Sequence, residues 1–436
     1  MLLSTPHGTV LTKSPPTLSS LALRCIFPTY APFHLHRRVS IGGTVHEPVQ
    51  VSKAPEHRRT VTCLPNEVLD VIMKDVSLQD LTYVVRVCQR LYTVGIRVLY
   101  SRISLVDIIT LDIMGNPNSL VVTSQCCATL VRRPHLANLV HRLRIELLPS
   151  PTTVTYKLPT SLIAPVGTML RQLPNLDRLE LRVLGASLTE ILSNCPFSLR
   201  VFSCDTCDPR PLHDFLVRQS SLTELHLVGP TQPVGSFCLD RQYGRGLRKV
   251  SGTLDVIASV VPGRPVEEVR IVDAFLNTEM MRTRIHLLKT SAAKIRVFRV
   301  VTVICQSSMI EVIAESLPDI EVLGLHILAP SDRHIPYVNL LDSIAPAIAM
   351  LPRLRHLDAC GNDVYEHAHW LEHLAKEQML LSVWSQLSRT LEQVRFPTGA
   401  EWVRRSDGSW AHVHAVPVMY ELESPRKTET DVYGLQ

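Results

Sequence analysis

The residues of this sequence best placed to do chemistry are two histidines and a glutamate near residue 370. His369, Glu372 and His373 fall in a stretch without Gly or Pro between Glu366 and Gln378, which is consistent with one helix. Two histidines about one helical turn apart can hold a zinc ion, and a glutamate beside them can activate a bound water. This spacing would suit a metal-dependent hydrolase.

The H-x-x-E-H pattern is similar to that of inverted zinc peptidases. In that family the motif lies near the start of a larger domain with a third acidic ligand downstream, whereas here it stands close to residue 436, where the sequence stops. A five-residue pattern with two free positions also arises by chance in a chain with 18 histidines. We therefore expect a solvated helix, with a zinc peptidase as a distant alternative.

A second candidate metal site is Cys204-Asp-Thr-Cys207 with His213 nearby. A structural zinc site needs a second ligand pair at a suitable spacing, and none is present. Cys204 also occupies an apolar position of the repeat described below, so we expect a buried thiol. The sequence contains no glycine-rich phosphate loop and no G-x-S-x-G elbow. We expect no catalytic residue, no metal and no cofactor.

Residues 64–100 are predicted to form three short helices. The first follows Leu64-Pro65, where proline near the first turn costs least, and Ser77 or Gln79-Asp80 can begin the second. Apolar residues lie at helical spacing in all three helices: Val68, Leu69, Ile72 and Met73, then Leu81, Val84, Val85 and Cys88, then Leu91, Val94, Val98 and Leu99. About forty residues cannot bury such stripes unaided, so the segment requires a neighbour.

This segment resembles the F-box, the helical module by which substrate receptors of SCF-type ubiquitin ligases bind their Skp-type adaptor. The resemblance rests on Leu64-Pro65, Glu67-Val68-Leu69, Ile72, the step from Leu78 to Leu81, and the run from Val85 to Leu91, where the family often has Trp at the last position. It implies that nine residues line the adaptor-facing side or the small core behind it: Leu64, Pro65, Val68, Leu69, Ile72, Leu78, Leu81, Val85 and Cys88. The alternative is an ordinary helical cap on the repeats that follow.

A motif of the type L-x-x-L-x-L recurs from residue 140 onwards, with apolar residues at its first, fourth and sixth positions. The triplets are Val140/Leu143/Ile145, Leu176/Leu179/Leu181, Leu199/Phe202/Cys204, Leu222/Leu225/Leu227, Leu247/Val250/Gly252, Val266/Val269/Ile271, Ile295/Phe298/Val300, Ile320/Leu323/Leu325, Leu354/Leu357/Ala359 and Leu391/Val394/Phe396. Their spacing scatters around the ~20–29 residues of leucine-rich repeats. The sequence resembles the degenerate repeats of fungal F-box proteins, which implies an irregular α/β solenoid of short parallel strands and helices.

In such a repeat the residues between the buried positions lie on the open, concave side, because strand side chains alternate. Stacked repeats usually bind partners on an extended face. The predicted substrate-binding residues are Arg142, Arg144, Arg178, Glu180, Arg182, Glu224, His226, Arg270 and His356. Glu146, Glu268, Arg299, His326 and Asp358 share this face.

Composition and charge limit the partners and the cellular compartment that we expect. Residues 1–60 hold seven Lys and Arg against two Glu, which accounts for the whole net charge of +5. The neutral remainder argues against nucleic-acid binding. Eleven irregularly placed cysteines, no N-x-[ST] sequon and no plausible signal peptide favour a reducing compartment, the cytoplasm or nucleus. No apolar run is long enough to cross a membrane.

The sequence therefore predicts five segments. They are a disordered N-terminal segment (1–60), an F-box module (61–102), a connecting helical segment (103–130), degenerate leucine-rich repeats (131–400), and a C-terminal hairpin cap and tail with a turn at Asp407-Gly408 (401–436). We expect a non-catalytic substrate receptor that binds a Skp-type adaptor and, through it, cullin and RING subunits, while its repeats hold an unknown protein substrate. The alternative is a repeat scaffold without a ligase role.

Overall fold

A computed structural model describes residues 64–109, 120–149, 160–183, 188–205, 210–228, 237, 239–273, 276–302, 307–327, 341–361 and 370–413. The predicted disordered segment 1–60 lies outside these residues, as does the tail beyond residue 413. The chain divides into two compact units between Arg102 and Ile103. None of the described helices is long and apolar enough to cross a membrane.

The described residues of the first unit, from Leu64 onwards, form three helices. They are α1 (Asn66–Asp75), α2 (Leu78–Val84) and α3 (Gln89–Ser101). Pro65 takes the N-cap position of α1, and the Ser77 hydroxyl caps α2 by accepting a bond from the Asp80 backbone N–H at 3.1 Å. Proline lacks an N–H group, and at a helix start such a group has no partner within the helix, so its absence costs little. The serine hydroxyl accepts one of the N–H groups that the helix start leaves unpaired.

A small core joins the three helices. It contains Leu69, Met73, Leu81, Val85, Leu91 and Val94. Gly95 lets α3 approach closely, because a Cβ there would lie 2.4 Å from Val85 Cγ1. We call this unit the helical module.

The second unit contains one thirteen-stranded sheet in which strands follow each other in chain order. The strands are β1 (Arg102–Ile109), β2 (Arg142–Pro149), β3 (Arg178–Val183), β4 (Val201–Asp205), β5 (Glu224–Val228), β6 (Lys249–Gly252), β7 (Glu268–Val272), β8 (Val297–Thr302), β9 (Val322–Ile327), β10 (His356–Gly361), β11 (Gln393–Arg395), β12 (Glu401–Arg404) and β13 (Trp410–Val413). Strands β2 to β11 are all parallel, whereas β12 and β13 run antiparallel to their neighbours.

Short helices connect most of the parallel strands, as parallel pairing requires a crossover. They are α4 (Val121–Arg132), α5 (Pro134–Ala137), α6 (Thr160–Leu170), α7 (Leu188–Leu192), α8 (His213–Val217), α9 (Leu254–Val260), α10 (Thr278–Arg284), α11 (Ser307–Ser316), α12 (Ala345–Ala349) and α13 (Trp370–Leu387), with 3-10 turns at Arg210–Leu212 and Ile285–Thr290. The sheet and its crossover helices form a repeat array. The predicted repeating strand-and-helix pattern is therefore confirmed.

One face of β2 to β11 is a continuous apolar ladder. Every first, fourth and sixth position of the ten predicted triplets is buried, and Ile295, the most exposed of the apolar ones, is only 4% exposed. The ladder follows the strand register, in which Leu143 lies beside Leu179, Leu179 beside Phe202, and Phe202 beside Leu225. Burial of this ladder drives the stacking of the repeats.

A shared carbonyl marks the start of each strand from β3 to β11. The Asp177 carbonyl, for example, accepts the backbone N–H groups of both Arg200 and Val201, at 2.7 and 3.1 Å. The same arrangement recurs at His141, Arg200, Thr223, Arg248, Glu267, Arg296, Glu321 and Arg355. This repeated bond fixes the register between consecutive strands.

Segment 103–130 differs from its prediction. We expected a connecting helical segment, but it begins with β1, and α4 follows only at Val121. The run from Ile103 to Ile109 is rich in β-branched residues, which favour strand, and Leu105 is buried on the sheet. The spacing of Ile103 and Leu105 matches the fourth and sixth positions of a repeat, so the array begins earlier than residue 131.

The far end of the sheet is a hairpin with its turn at Asp407-Gly408, where the sequence predicts one. Gly408 has a φ of +86°, a value that glycine adopts without strain. The buried Glu377 of α13 holds this end, because its carboxylate accepts bonds from the Thr398 hydroxyl and from the Trp402 indole N–H at 2.9 Å.

Candidate interaction surfaces

The nine residues predicted to bind the adaptor fall into three groups in the helical module. Leu69, Leu81 and Val85 are at most 7% exposed and form the core. Pro65, Val68, Ile72 and Leu78 are exposed. Leu64 and Cys88 are half-buried and pack against the core from its edge.

The start of the module is held by Arg90. Its guanidinium donates to the Leu64 carbonyl oxygen at 2.5 Å and to the Asn66 side-chain oxygen at 3.1 Å. This links the beginning of α1 to α3 across a long stretch of sequence. The Leu64-Pro65 step is thereby fixed in place beside the exposed side chains of α1.

Several large apolar side chains of the module are open to solvent. Their exposed fractions are 41% for Val68, 60% for Val71, 43% for Ile72, 54% for Leu78, 54% for Tyr83 and 71% for Val87. We call these six residues the exposed apolar set. Large apolar side chains exposed on one small unit make this set a candidate binding surface.

The predicted substrate-binding residues all lie on the side of the sheet opposite the apolar ladder, which we call the open face. Arg144, Arg178, Glu180, Arg182, Glu224, His226 and His356 are half-buried there, and Arg142 and Arg270 are exposed. The register places them in rows across the strands, one of which reads Arg144, Glu180, Ser203, His226, Ser251, Arg270 and Arg299. This row is polar across seven consecutive strands.

Most charges on the open face are paired. The pairs include Arg144–Glu146 at 3.0 Å, Arg178–Glu180 at 2.7 Å, Arg182–Glu146 at 3.4 Å, Lys249–Glu224 at 3.7 Å, Lys249–Glu268 at 3.5 Å, Arg395–Glu401 at 3.0 Å and Arg299–Glu268. Such half-exposed pairs contribute little stability. They fix the directions of long side chains and so give the face a defined pattern of charge.

Two histidines on the open face stay neutral more readily than usual. Burial lowers the pKa of His226 against the opposing effect of Glu224. Burial likewise lowers the pKa of His326, and Arg270, Arg299 and Arg395 add to this, whereas Asp358 opposes it. At neutral pH both imidazoles therefore act as neutral hydrogen-bonding groups, not as cations.

Strand β1 adds two residues to this surface that the sequence analysis missed. Val106 and Ile108 are 42% and 56% exposed. They alternate with the buried Leu105 and with Asp107, whose carboxylate accepts the Thr123 backbone N–H of α4 at 2.8 Å and so lies on the helix side. The signal that could have revealed them is the repeat-like spacing of Ile103 and Leu105.

The candidate metal ligands are only partly described. Glu372 and His373 lie in α13, with side chains outside the description, and His369 and Cys207 are also outside it. Cys204 is fully buried on β4, and burial raises its pKa. Within the described part of the chain, no group of three or more His, Cys, Asp or Glu could hold a metal ion.

No protein-family model matches the sequence, and no curated protein matches it. Among solved structures, the chain is similar to the leucine-rich repeat-containing protein LegL7 from Legionella pneumophila. The two are 11% identical with a TM-score of 0.36, over 67% of this chain and 83% of that one. A likeness this distant carries no argument about this chain; the repeat array is defined by its own strand pairing.

Proposed function

We propose that this protein is a non-catalytic substrate receptor of an SCF-type cullin-RING ubiquitin ligase. In this proposal the helical module is an F-box that binds a Skp-type adaptor and, through it, the cullin and RING subunits. The array is an irregular leucine-rich-repeat solenoid that holds a protein substrate on its open face. The receptor acts by proximity, because it raises the effective concentration of substrate lysines near the conjugating enzyme.

The observation that carries the proposal is the division of the helical module into core and surface. Its core uses Leu69, Leu81 and Val85, while Val68, Ile72 and Leu78 remain exposed from the same three-helix unit. The F-box resemblance assigns all six to the adaptor-facing side or to the core behind it. A module with an apolar core and a second, uncovered apolar surface supports docking on another protein.

The first experiment is co-purification of the full chain with a Skp-type adaptor. We expect a stable complex with the wild-type chain and its loss in the double variant Ile72→Asp/Leu78→Asp, because both side chains are exposed and a buried charge at an interface is costly. A Leu64→Asp/Pro65→Ala variant should also lose binding. It is the less clean test, because Leu64 packs against the module core.

The matched control is Arg97→Glu on α3, an exposed position outside the apolar set. This variant should bind the adaptor as the wild type does. Continued tight binding by Ile72→Asp/Leu78→Asp would contradict the docking assignment.

The second candidate function is a repeat scaffold without a ligase role, and the extended open face favours it equally. A folded wild-type chain that fails to bind any Skp-type adaptor would support this candidate. Stoichiometric zinc that is lost in a His373→Ala variant would instead favour the peptidase alternative.

A further inference from the structure

The charge of the open face is uneven along the repeat array. On β2 and β3 it carries four arginines, Arg142, Arg144, Arg178 and Arg182, against Glu146 and Glu180. On β4 to β6 it carries Asp205 and Glu224 against Lys249, with the weakly basic His226. β2 and β3 therefore present an excess of positive charge that β4 to β6 lack.

Arg142 is the strongest part of this excess. It is exposed at the start of β2, and no ion pair joins it to any residue in the described part of the chain. The neighbouring Arg144, Arg178 and Arg182 are held by pairs to Glu146 and Glu180. A partner carboxylate near Arg142 would thus meet a free cation flanked by guanidinium groups whose directions are already fixed.

The strand beside β2 carries two exposed apolar side chains. β1 is the neighbour of β2 in the sheet, and its exposed side carries Val106 and Ile108. No other described strand before β13 exposes a large apolar side chain to that degree. Adjacent strands lie about 4.8 Å apart, so an extended segment of about six residues can cross all three strands.

We propose that the open face of β1 to β3 is the primary substrate-docking site, and that its ligand is an extended protein segment with an acidic block followed or preceded by an apolar block. The acidic block binds Arg142 and the arginines beside it, and the apolar block covers Val106 and Ile108. This inference rests on the proposed function, since it names the substrate class for the receptor, but it uses none of the residues assigned to adaptor binding.

The test uses fluorescein-labelled hexapeptides with three Glu and three apolar residues, made in both orders, and measures their anisotropy with the full-length chain. We expect binding that weakens with added salt. The Arg142→Glu variant should weaken it at least about tenfold, because a like charge replaces an opposite one. The Val106→Thr/Ile108→Thr variant should also weaken it while keeping the β-branched side chains that suit a strand.

Lys289→Glu, an exposed cation in the 3-10 turn Ile285–Thr290 and not on the open face, is the matched control and should bind as the wild type does. The proposal is overturned if the wild type does not bind, or if both variants bind unchanged. It is also overturned if a hexaglutamate or a single-stranded oligonucleotide binds equally well, because the site would then recognise any polyanion. The Ile72→Asp/Leu78→Asp variant should keep peptide binding and Arg142→Glu should keep adaptor binding, so the two proposals fail independently.

Discussion

The helical module and the repeat array differ in how completely they bury their large apolar side chains. In the module six core side chains are buried and six other large apolar side chains are exposed. On β2 to β11 the apolar ladder is buried on one side, and the described open face exposes no large apolar side chain. Each repeat packs its apolar side chains against the next repeat of the same chain. The helical module has only three described helices that can cover its apolar side chains. The proposed adaptor contact would cover the apolar side chains that the module leaves exposed.

The sharpest test of this difference compares two leucines of α2. Leu81 is fully buried and Leu78 is 54% exposed. Leu81→Ala should destabilise the module by about 2–5 kcal/mol, whereas Leu78→Ala should change its stability by less than about 0.5 kcal/mol. Limited proteolysis within residues 64–101 would measure the first effect. Equal protease sensitivity of the two variants would remove the distinction between core and surface.

A buried carboxylate at the end of the repeat array gives the next largest effect. Glu377→Ala should cost about 2–3 kcal/mol, because it removes two hydrogen bonds to a carboxylate and leaves the Trp402 indole N–H buried without that partner. Urea unfolding of the full chain measures this cost. An unchanged midpoint would mean that the hairpin is held by its strand bonds alone.

The same residue makes stability depend on pH. Burial raises the pKa of Glu377 in the folded chain above its ordinary value. The folded chain therefore binds this proton more tightly than the unfolded chain does. The resulting contribution to folding stability is fully present below the unfolded pKa and is lost as pH rises through the folded pKa. In urea titrations at pH values between the unfolded and folded pKa, the free energy of unfolding should change less with pH in Glu377→Gln than in Glu377→Asp, because Asp keeps a carboxyl group.

Tight packing in the two regions can be compared by substituting one glycine in each. A Cβ at Gly95 would lie 2.4 Å from Val85 Cγ1 in the module core, and a Cβ at Gly324 would lie 2.7 Å from Arg299 Cγ on the open face. Gly95→Ala should cost about 1–3 kcal/mol, reduced by the better helix propensity of alanine. Gly324→Ala should cost less, since the Arg299 side chain can swing aside. Thermal unfolding of the two variants measures both costs. A larger loss of stability in Gly324→Ala than in Gly95→Ala would mean that the module core is loosely packed.

The smallest effect concerns the ion pairs of the open face. Lys249→Gln removes contacts to Glu224 and Glu268, yet these groups are partly exposed. We expect a loss of at most about 1 kcal/mol, and a smaller loss in about 1 M salt than in about 0.1 M salt. Denaturant titrations at both salt concentrations measure it. A loss above that limit would show that the polar face contributes to folding as well as to recognition.

The repeat array was largely predictable because its pattern is periodic. Each apolar triplet fixes a strand and the side it buries, and each residue between them must then lie on the open face. β1 was missed because a single repeat-like spacing without the preceding leucine is a weak signal. Val106 and Ile108 were therefore absent from the predicted binding surface.

The sequence could not separate core from surface in the helical module, nor reveal the buried polar groups. Leu78 and Leu81 look alike in a helical pattern, and only the packing of α2 against α3 distinguishes them. Arg264 is fully buried and donates to the backbone carbonyl oxygens of Leu239, Asp240 and Tyr243. Arginine is seldom buried. Arg264 also donates to the nearby Val260 carbonyl oxygen, but the other three partners lie 21 to 25 residues before it, so no local rule predicts the whole set.

The shared carbonyl at each strand start also bears on how the array changes over evolutionary time. The two backbone bonds at this carbonyl are the same between neighbouring repeats from His141 to Arg355, whatever side chains surround them. A whole repeat can thus be duplicated or deleted while the bonds on either side keep their form. Lineages can lengthen or shorten the array without redesigning its remaining units.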